Sequence, residues 1–500
     1  MVGKESNQTR VFRSVKSEEL ILLILIFLIG LILRLIRIGT REIAYDDAFS
    51  FFLSSQNFIT IIRGTVADTM PPLYYLLLSL MIRINQDLWF LRLLNVLINL
   101  SSIFLLYLLA RDLFGKKVGY ISILFAVISP FLIYHSQELR MYDLVLFGQV
   151  GYLYSLFKII NSKNKPIYII TSIVFGLIAI YSHNLAFVGL FACNFVFFLN
   201  KNRKYFITLC LIQFALIIMY IPWAIYLPQQ ILKVQTAFWT AKPGLLEIIQ
   251  SVITLFGFAP LANWKIFLIL FVFFLNLVLL SLWLIRSKDE KLYVLFAICL
   301  ASPVLLIIIS YITRPVFVPR IFIFSTFIAF ILMATFIENN WNKYFGKISL
   351  LLILISILIS LPEFYFFESF PRSSFRKAVN YIAQQNIEPK IVFHENKLSF
   401  FPMLFYDSNL TQYYLADPPG SENDTLSQES QIALGYIAIN NMDNLFFYDK
   451  LFFVSFALTE IEYKNQGLSD PNLIILRSFY GEEEERTLIG DINVYYFVKE

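Results

Sequence analysis

Apolar residues fall in blocks long enough to cross hydrocarbon, near positions 19–38, 89–110, 118–134, 143–160, 166–182, 184–200, 205–227, 262–285, 292–312, 317–337 and 347–362. A spanning helix needs roughly 20 mostly apolar residues, so the pattern predicts about eleven transmembrane helices. Between the first two blocks, Asn57–Gly64 and Pro72–Ile84 are too short to span but apolar on one side, which predicts helices lying in the interface. The stretch 228–261 is amphipathic. Beyond Pro362 the pattern becomes mixed and polar: Ser374–Gln385 reads as a helix, and Lys390–His394, Phe452–Ala457, Leu473–Leu476 and Asn493–Val498 read as strands. The expected organisation is a tail at 1–18, a mainly α, polytopic membrane domain at 19–362 and a soluble α/β domain at 363–500.

Composition agrees with a bilayer protein: 58% of the 500 residues are hydrophobic and 15% charged, against roughly a quarter charged in soluble domains. The net charge of +5, without a basic block interleaved with aromatics, gives no support to nucleic-acid binding. Three cysteines, Cys193, Cys210 and Cys299, sit singly in apolar runs and imply neither a disulfide framework nor a metal site.

Charge position says more than charge sum. Lys4, Arg10, Arg13 and Lys16 precede the first block. Arg111, Lys116 and Lys117; Lys163 and Lys165; Lys201, Arg203 and Lys204; Arg286, Lys288 and Lys291; and Lys343 and Lys347 fill alternate loops. Positive loops stay cytoplasmic, which predicts a multi-pass protein of the plasma or inner membrane, with its N-terminus in the cytoplasm and the C-terminal domain outside. The acids Glu42, Asp46, Asp47, Asp68 and Asp87 collect in the first outer loop.

Four outer segments carry candidate chemistry. Asp46 and Asp47 follow the first span, where one acid could take a proton from an acceptor hydroxyl and the other orient it or help hold a divalent metal with Glu138; the pair equally suits a helix start. Asp68-Thr-Met-Pro-Pro-Leu-Tyr74-Tyr opens a helix sharply, Pro-Pro fixing its entry and Asp68 capping it. His135-Ser-Gln-Glu138-Leu-Arg140 places an acid and a guanidinium two residues apart in a short loop, and His183 lies in another. Arg314 and Arg320 frame the mouth of a late span, with Lys242 in the loop before it; guanidiniums there suit a lipid-borne phosphate, or simple anchoring at the interface. No phosphate-cradling, dinucleotide, zinc-protease or Ser-hydrolase motif with its required flanks occurs. An outward site therefore needs a membrane-borne activated donor.

In their order, the acid pair, Asp-x-x-Pro-Pro-Leu-Tyr-Tyr, Ser-Gln-Glu-x-Arg-Met-Tyr, the His183 loop and the Arg314–Arg320 stretch resemble the multi-spanning GT-C glycosyltransferases, in particular glycosyltransferase family 39, over most of 1–340. The resemblance implies a sugar donor on polyprenyl phosphate, an outward site among membrane lipids and an acceptor hydroxyl on protein, lipid or glycan; attack on the anomeric carbon from the face opposite the phosphate would invert its configuration. It also implies that Asp46 is the base, with Asp47 beside it where members carry Glu. Glu138 and Arg140 belong to the site by the same motif, and Met70 stands where many members have His. The competing class is a lipid-linked-glycan flippase or other transporter. Such proteins place ionisable groups near the midplane, whereas here these collect at the outer ends.

Overall fold

The computed structural model describes residues 17–162, 165–200, 202–236, 240, 242–257, 263–421 and 423–499. The basic tail residues Lys4 to Lys16, with Lys163 and Lys201, lie outside that set. Helix α1 (Ser17–Leu35) leads into three short helices, α2 (Tyr45–Ser54), α3 (Phe58–Ala67) and α4 (Leu73–Ile82). Next come α5 (Leu88–Phe114), α6 (Lys116–Ile128), α7 (Pro130–Ser136), α8 (Tyr142–Asn161), α9 (Lys165–Ile180) and α10 (Ala186–Cys193). The bundle continues with α11 (Arg203–Ala224), α12 (Leu227–Thr236), α13 (Leu245–Phe256), α14 (Asn263–Ser287), α15 (Glu290–Ile312), α16 (Ile323–Asn339) and α17 (Tyr344–Phe366).

Among the described residues, seven helices are long and apolar enough to cross a membrane, and an eighth forms if α6 and α7 count as one broken span. The other expected spans are helical too, but α9 covers only 16 residues and α1 carries Glu18, Glu19 and Arg34. The count of eleven thus exceeds what length and composition alone support. Helices are present at both stretches expected to lie in the interface, as α3 and α4.

Two local breaks shape one end of the bundle. At Ser129-Pro130 the chain bends by 62° between α6 and α7, because proline has no N–H for the preceding turn and the Ser129 hydroxyl accepts from Leu132 N at 3.4 Å to start the new helix. The bend delivers His135 to Arg140 to that end. Pro71 and Pro72 start α4 sharply, and Leu73 N donates to Tyr181 O at 3.1 Å, so the Tyr74-Tyr75 pair is buried under the same end.

The C-terminal part is a three-layer α/β unit. Its sheet has the order β2-β1-β3-β5-β4, with β1 (Ile391–His394) parallel to β2 (Thr411–Tyr414) and β3 (Lys450–Phe456), and β5 (Ile492–Val498) antiparallel to β3 and β4 (Glu485–Ile489). Period-two alternation assigns the two faces. Val392, Phe452, Val454 and Val494 pack under α18 (Phe375–Gln384), and Ile391, Phe393, Phe453, Tyr495 and Phe497 pack on the other side. The remaining helices are α19 (Lys397–Tyr406), α20 (Gln428–Leu434), α21 (Ala457–Asn465) and α22 (Pro471–Tyr480).

One expectation fails here. Leu473–Leu476 is not a strand but the middle of α22, covering the second sheet face. Asp470 caps the helix by accepting from Asn472 N at 2.8 Å, Pro471 occupies its first turn, and the buried Leu473, Leu476 and Tyr480 recur at helical spacing. A four-residue apolar run does not reveal that period by itself.

This unit is welded to the bundle. Phe401 of α19 packs on Tyr45 and Phe52 of α2, Tyr406 accepts from Ile43 N at 2.9 Å, and Phe400, Phe401 and Leu434 belong to the same buried cluster as the bundle core.

Candidate active site

The candidate residues meet at one end of the bundle, where α2, the α7–α8 loop, the start of α16 and the segment after α17 converge. Polar side chains on the apolar α5 hold this end from below. Arg92, Asn95 and Asn99 sit on one face of α5 and are fully buried. Arg92 donates to the carbonyls of Ile38, Arg41 and Glu42 at 2.7–3.2 Å. Asn95 donates to Glu138 O and Arg140 O, both at 2.7 Å. Asn99 donates to Asp143 Oδ1 at 2.6 Å and accepts from Arg34 Nε at 2.9 Å. The backbones that carry Asp46 and Glu138 are therefore fixed by side chains from inside the bundle, where an unmade hydrogen bond is costly.

The two adjacent aspartates do different things. Asp47 is 1% exposed; its Oδ1 accepts from Leu139 N at 2.9 Å and its Oδ2 from Ala44 N at 3.3 Å, with Arg372 Nη1 3.4 Å away. It closes the first turn of α2 and pins the α7–α8 loop against it. Burial pushes its pKa up, the nearby Glu138 adding to the rise and Arg372 opposing it. Asp46 keeps 37% of its side chain exposed and forms an ion pair with Arg320 Nη1 at 2.9 Å. The surrounding protein pushes its pKa up, but the Arg140 and Arg320 charges outweigh that and leave it below the ordinary aspartate value. It is ionised and open, which is what a proton acceptor needs.

Around Asp46 the other predicted groups take definite places. Arg140 donates to Asp46 O at 3.4 Å and to Ser50 Oγ at 3.3 Å. Arg320 also lies over the Tyr142 ring, 5.4 Å from its centroid. His183 is buried, and its Nδ1 accepts from Leu185 N at 3.0 Å, which places the ring proton on Nε2. Burial, with Arg320 and Arg140 adding, holds its pKa down to about 3, so the ring is neutral. It lines a small hollow with Tyr142 and Arg320. Glu138 pairs with His135 Nδ1 at 2.7 Å; burial raises its pKa, but His135, Arg372 and Arg320 together bring it below the usual range. Tyr74 is buried beneath, in the field of Asp47 and Arg140.

Asp68 does not cap α4, whose N-cap is Pro72; it ends α3 with Lys233 3.8 Å away, near enough to the centre for its charge to act on Arg140. Two predicted residues lie away from this centre. Arg314 donates to Gln235 O at 2.8 Å, and Lys242 is exposed on the segment before α13. The metal alternative also fails on geometry. Asp46, Asp47 and Glu138 point into guanidinium, imidazole and backbone N–H partners instead of toward a shared point, and among the described residues no three His, Cys, Asp or Glu are placed to hold a metal ion.

The sequence reading passed over Arg41 and Arg372. Arg41 is 3% exposed, stacks on Phe364 and Tyr134 at 4.1 and 4.9 Å, and donates to Gln137 Oε1 at 3.2 Å. Arg372, 1% exposed, comes from the segment after the last span and bridges Glu42 O, Asp47 and Glu138. Nothing local in Phe-Pro-Arg-Ser-Ser marks it. The Arg92, Asn95 and Asn99 spacing was visible, as a polar stripe at i, i+3 and i+7 in an apolar helix.

With this geometry in hand, comparison with known proteins is informative. Residues 69–239 match the model of the dolichyl-phosphate-mannose-protein mannosyltransferase family. That stretch contains Glu138, Arg140 and His183 but starts after the acid pair. No curated protein sequence matches the chain. Among solved structures, ArnT from Cupriavidus metallidurans in the apo state is similar over 96% of this chain and 98% of its own, at 11% identity and a TM-score of 0.59. The same protein bound to undecaprenyl phosphate gives 95%, 97%, 11% and 0.56. The oligosaccharyltransferase AglB from Archaeoglobus fulgidus, in complex with an inhibitory peptide and a dolichol-phosphate, is similar over 90% of this chain and 70% of its own, at 12% identity and a TM-score of 0.53. The chain has the GT-C fold, as its motifs implied.

Proposed function

We propose that this protein is an integral-membrane glycosyltransferase that moves a sugar from a polyprenyl-phosphate donor to an acceptor hydroxyl at the Asp46 end of the bundle. The observation that carries the reading is the contrast within the acid pair: Asp46 is ionised, reachable and 2.9 Å from a guanidinium, while Asp47 is sealed behind it. The fold likeness to ArnT bound to undecaprenyl phosphate and to AglB bound to a dolichol-phosphate supports the donor class and gives no support to a flippase.

In the proposed reaction the acceptor oxygen attacks the anomeric carbon from the face opposite the phosphate. The carbon–oxygen bond to the phosphate breaks, its electron pair leaves on the phosphate oxygen, and the hydroxyl proton passes to Asp46. Configuration inverts. Arg320, with Arg140 behind it, stabilises the charge that develops on the leaving phosphate, and neutral His183 offers an Nε2–H donor without adding charge. When the phosphate takes Arg320, Asp46 loses its ion-pair partner and becomes a stronger base, so donor binding readies the base.

Orientation follows the charge distribution. Arg111, Lys116, Lys117, Lys158 and Lys291 gather at the opposite end of the bundle, tied to Glu19, Asp112, Glu338 and Leu113 O. Placing that end in the cytoplasm puts the N-terminus inside, and the site with the sheet unit outside. The test is to incubate the purified protein with a panel of polyprenyl-phosphate sugars and measure release of polyprenyl phosphate; release with one donor is expected, and neither release nor binding with any donor overturns the reading.

A further inference from the structure

Beside Glu138 lies a cavity of about 240 Å³ lined by Arg41, Arg320, Arg372, His135, Thr254 and Gly257, among others. Its two most buried guanidiniums are incompletely bonded. Among the described residues, Arg41 uses only Nη1, on the uncharged amide of Gln137, while its Nε and Nη2 are buried without a hydrogen-bond partner. Arg372 uses Nη1 on Glu42 O at 2.7 Å, with Asp47 Oδ2 at 3.4 Å; among the described residues its Nε and Nη2 make no close hydrogen bond, with the Tyr134 side chain beside the guanidinium and Glu138 Oε1 3.9 Å from Nη2. Buried N–H groups are normally satisfied, and each exception calls for an explanation.

Aromatic contacts hold both guanidiniums in place. The Tyr134 ring packs against both guanidiniums, at 4.9 Å from Arg41 and 5.0 Å from Arg372, and Phe364 covers Arg41 at 4.1 Å. Aromatic rings take up guanidinium faces and leave the N–H edges for another partner. Charge points the same way. Arg320 is paired to Asp46 and Glu138 to His135, so Arg41 adds a cation beside Arg372 that no ion pair among the described residues answers. Burial and the Arg372 charge hold the Arg41 pKa well below its ordinary value, a cost that a bound anion removes.

We propose that this cavity binds an oxyanion, a phosphate monoester or a carboxylate, held by the remaining N–H groups of Arg41 and Arg372. Its anchors, Arg41 and Arg372, differ from those proposed for the leaving phosphate, and Arg320 stands between the two, lining this cavity as well as facing Asp46. Resting on the transfer reading above, the inference names the acceptor class: a hydroxyl compound that carries an acidic group. Arg41 comes from the loop after α1 and Arg372 from the segment that joins α17 to the sheet unit, so the occupant also closes the two parts of the chain on each other.

Equilibrium binding tests this without any turnover. Inorganic phosphate is titrated into the detergent-purified full-length protein, and phosphatidic acid in mixed micelles forms a second arm; binding in the first arm assigns the group to a free oxyanion, and binding only in the second to a lipid head group. Arg41→Gln is expected to weaken binding by about tenfold or more, the scale of a lost charge-assisted hydrogen bond. Arg372→Lys, which keeps the charge facing Asp47 but loses the fork, is expected to weaken it as well, whereas Lys117→Gln, at the opposite end of the bundle, leaves it unchanged. The inference is overturned if neither probe binds the wild-type protein, if Arg41→Gln binds as tightly as wild type, or if Lys117→Gln abolishes binding as fully as Arg41→Gln. Donor release, measured separately, reports on the transfer reading, so failure of one is distinguishable from failure of the other.

Discussion

The two ends of the helical bundle use the same residue types under opposite conditions. At one end Lys116 pairs with Glu19 and Lys117 with Glu338 on side chains that are up to 79% exposed. At the other, Arg372, Asp47 and Glu138 form a cluster whose side chains are 10% exposed or less. Exposed pairs are screened by water and salt and contribute little. Buried ones cost much to assemble and much to break, because a charge left without its partner has nowhere to go. Charge at the first end marks an interface with water; charge at the second is arranged around one open carboxylate.

Asp46→Asn should show the contrast most strongly. It removes the proton acceptor but keeps the shape, so sugar transfer is expected to fall by about 10²–10⁴-fold with the unfolding midpoint little changed; a variant that retains full transfer would take Asp46 out of the role. Asp47→Ala, one residue along, should act on stability instead. Losing the partner of Arg372 together with the Leu139 and Ala44 hydrogen bonds is expected to cost roughly 3–5 kcal/mol, measured by denaturant unfolding in detergent, and a loss under about 1 kcal/mol would mean the cluster relaxes into water.

A smaller effect belongs to the sheet unit. Burial, with Asp470 nearby, pushes the Glu395 carboxyl up to about 8. Its folded value lies above its unfolded one, so the folded state keeps a proton that the unfolded state releases. Stability is therefore full below the unfolded value of about 4.5 and declines as pH rises toward 8, by a few kcal/mol at most. Protection factors of the β1 and β3 amides, with the intrinsic pH dependence of exchange divided out, should fall across that interval in the wild type and stay constant in Glu395→Gln. Smallest of all, Lys117→Ala at the exposed end should change stability by less than about 0.5 kcal/mol; a larger loss would show that the opposite end is not the plain water interface it resembles.

Much of this was readable in the chain. Apolar blocks, the Pro-Pro start of α4 and the Glu138–Arg140 motif were all local, and the structure contains their helices and their convergence. The α22 helix was misread because four apolar residues fit either period, and the fold chose by covering a sheet face. Arg41 and Arg372 were passed over because their meaning depends on each other, and they are separated by nearly the whole membrane part of the chain.

The sequence alone determined that this is a helical membrane protein with acids and basic loops segregated, since hydrocarbon leaves backbone polar groups no partner but their own helix. Tertiary structure decided which of two neighbouring aspartates is usable. Successive residues on a helix point about 100° apart, so α2 turned Asp47 into the core and left Asp46 facing Arg320. It also decided that two arginines from distant segments share one tyrosine ring, a proximity no local pattern encodes.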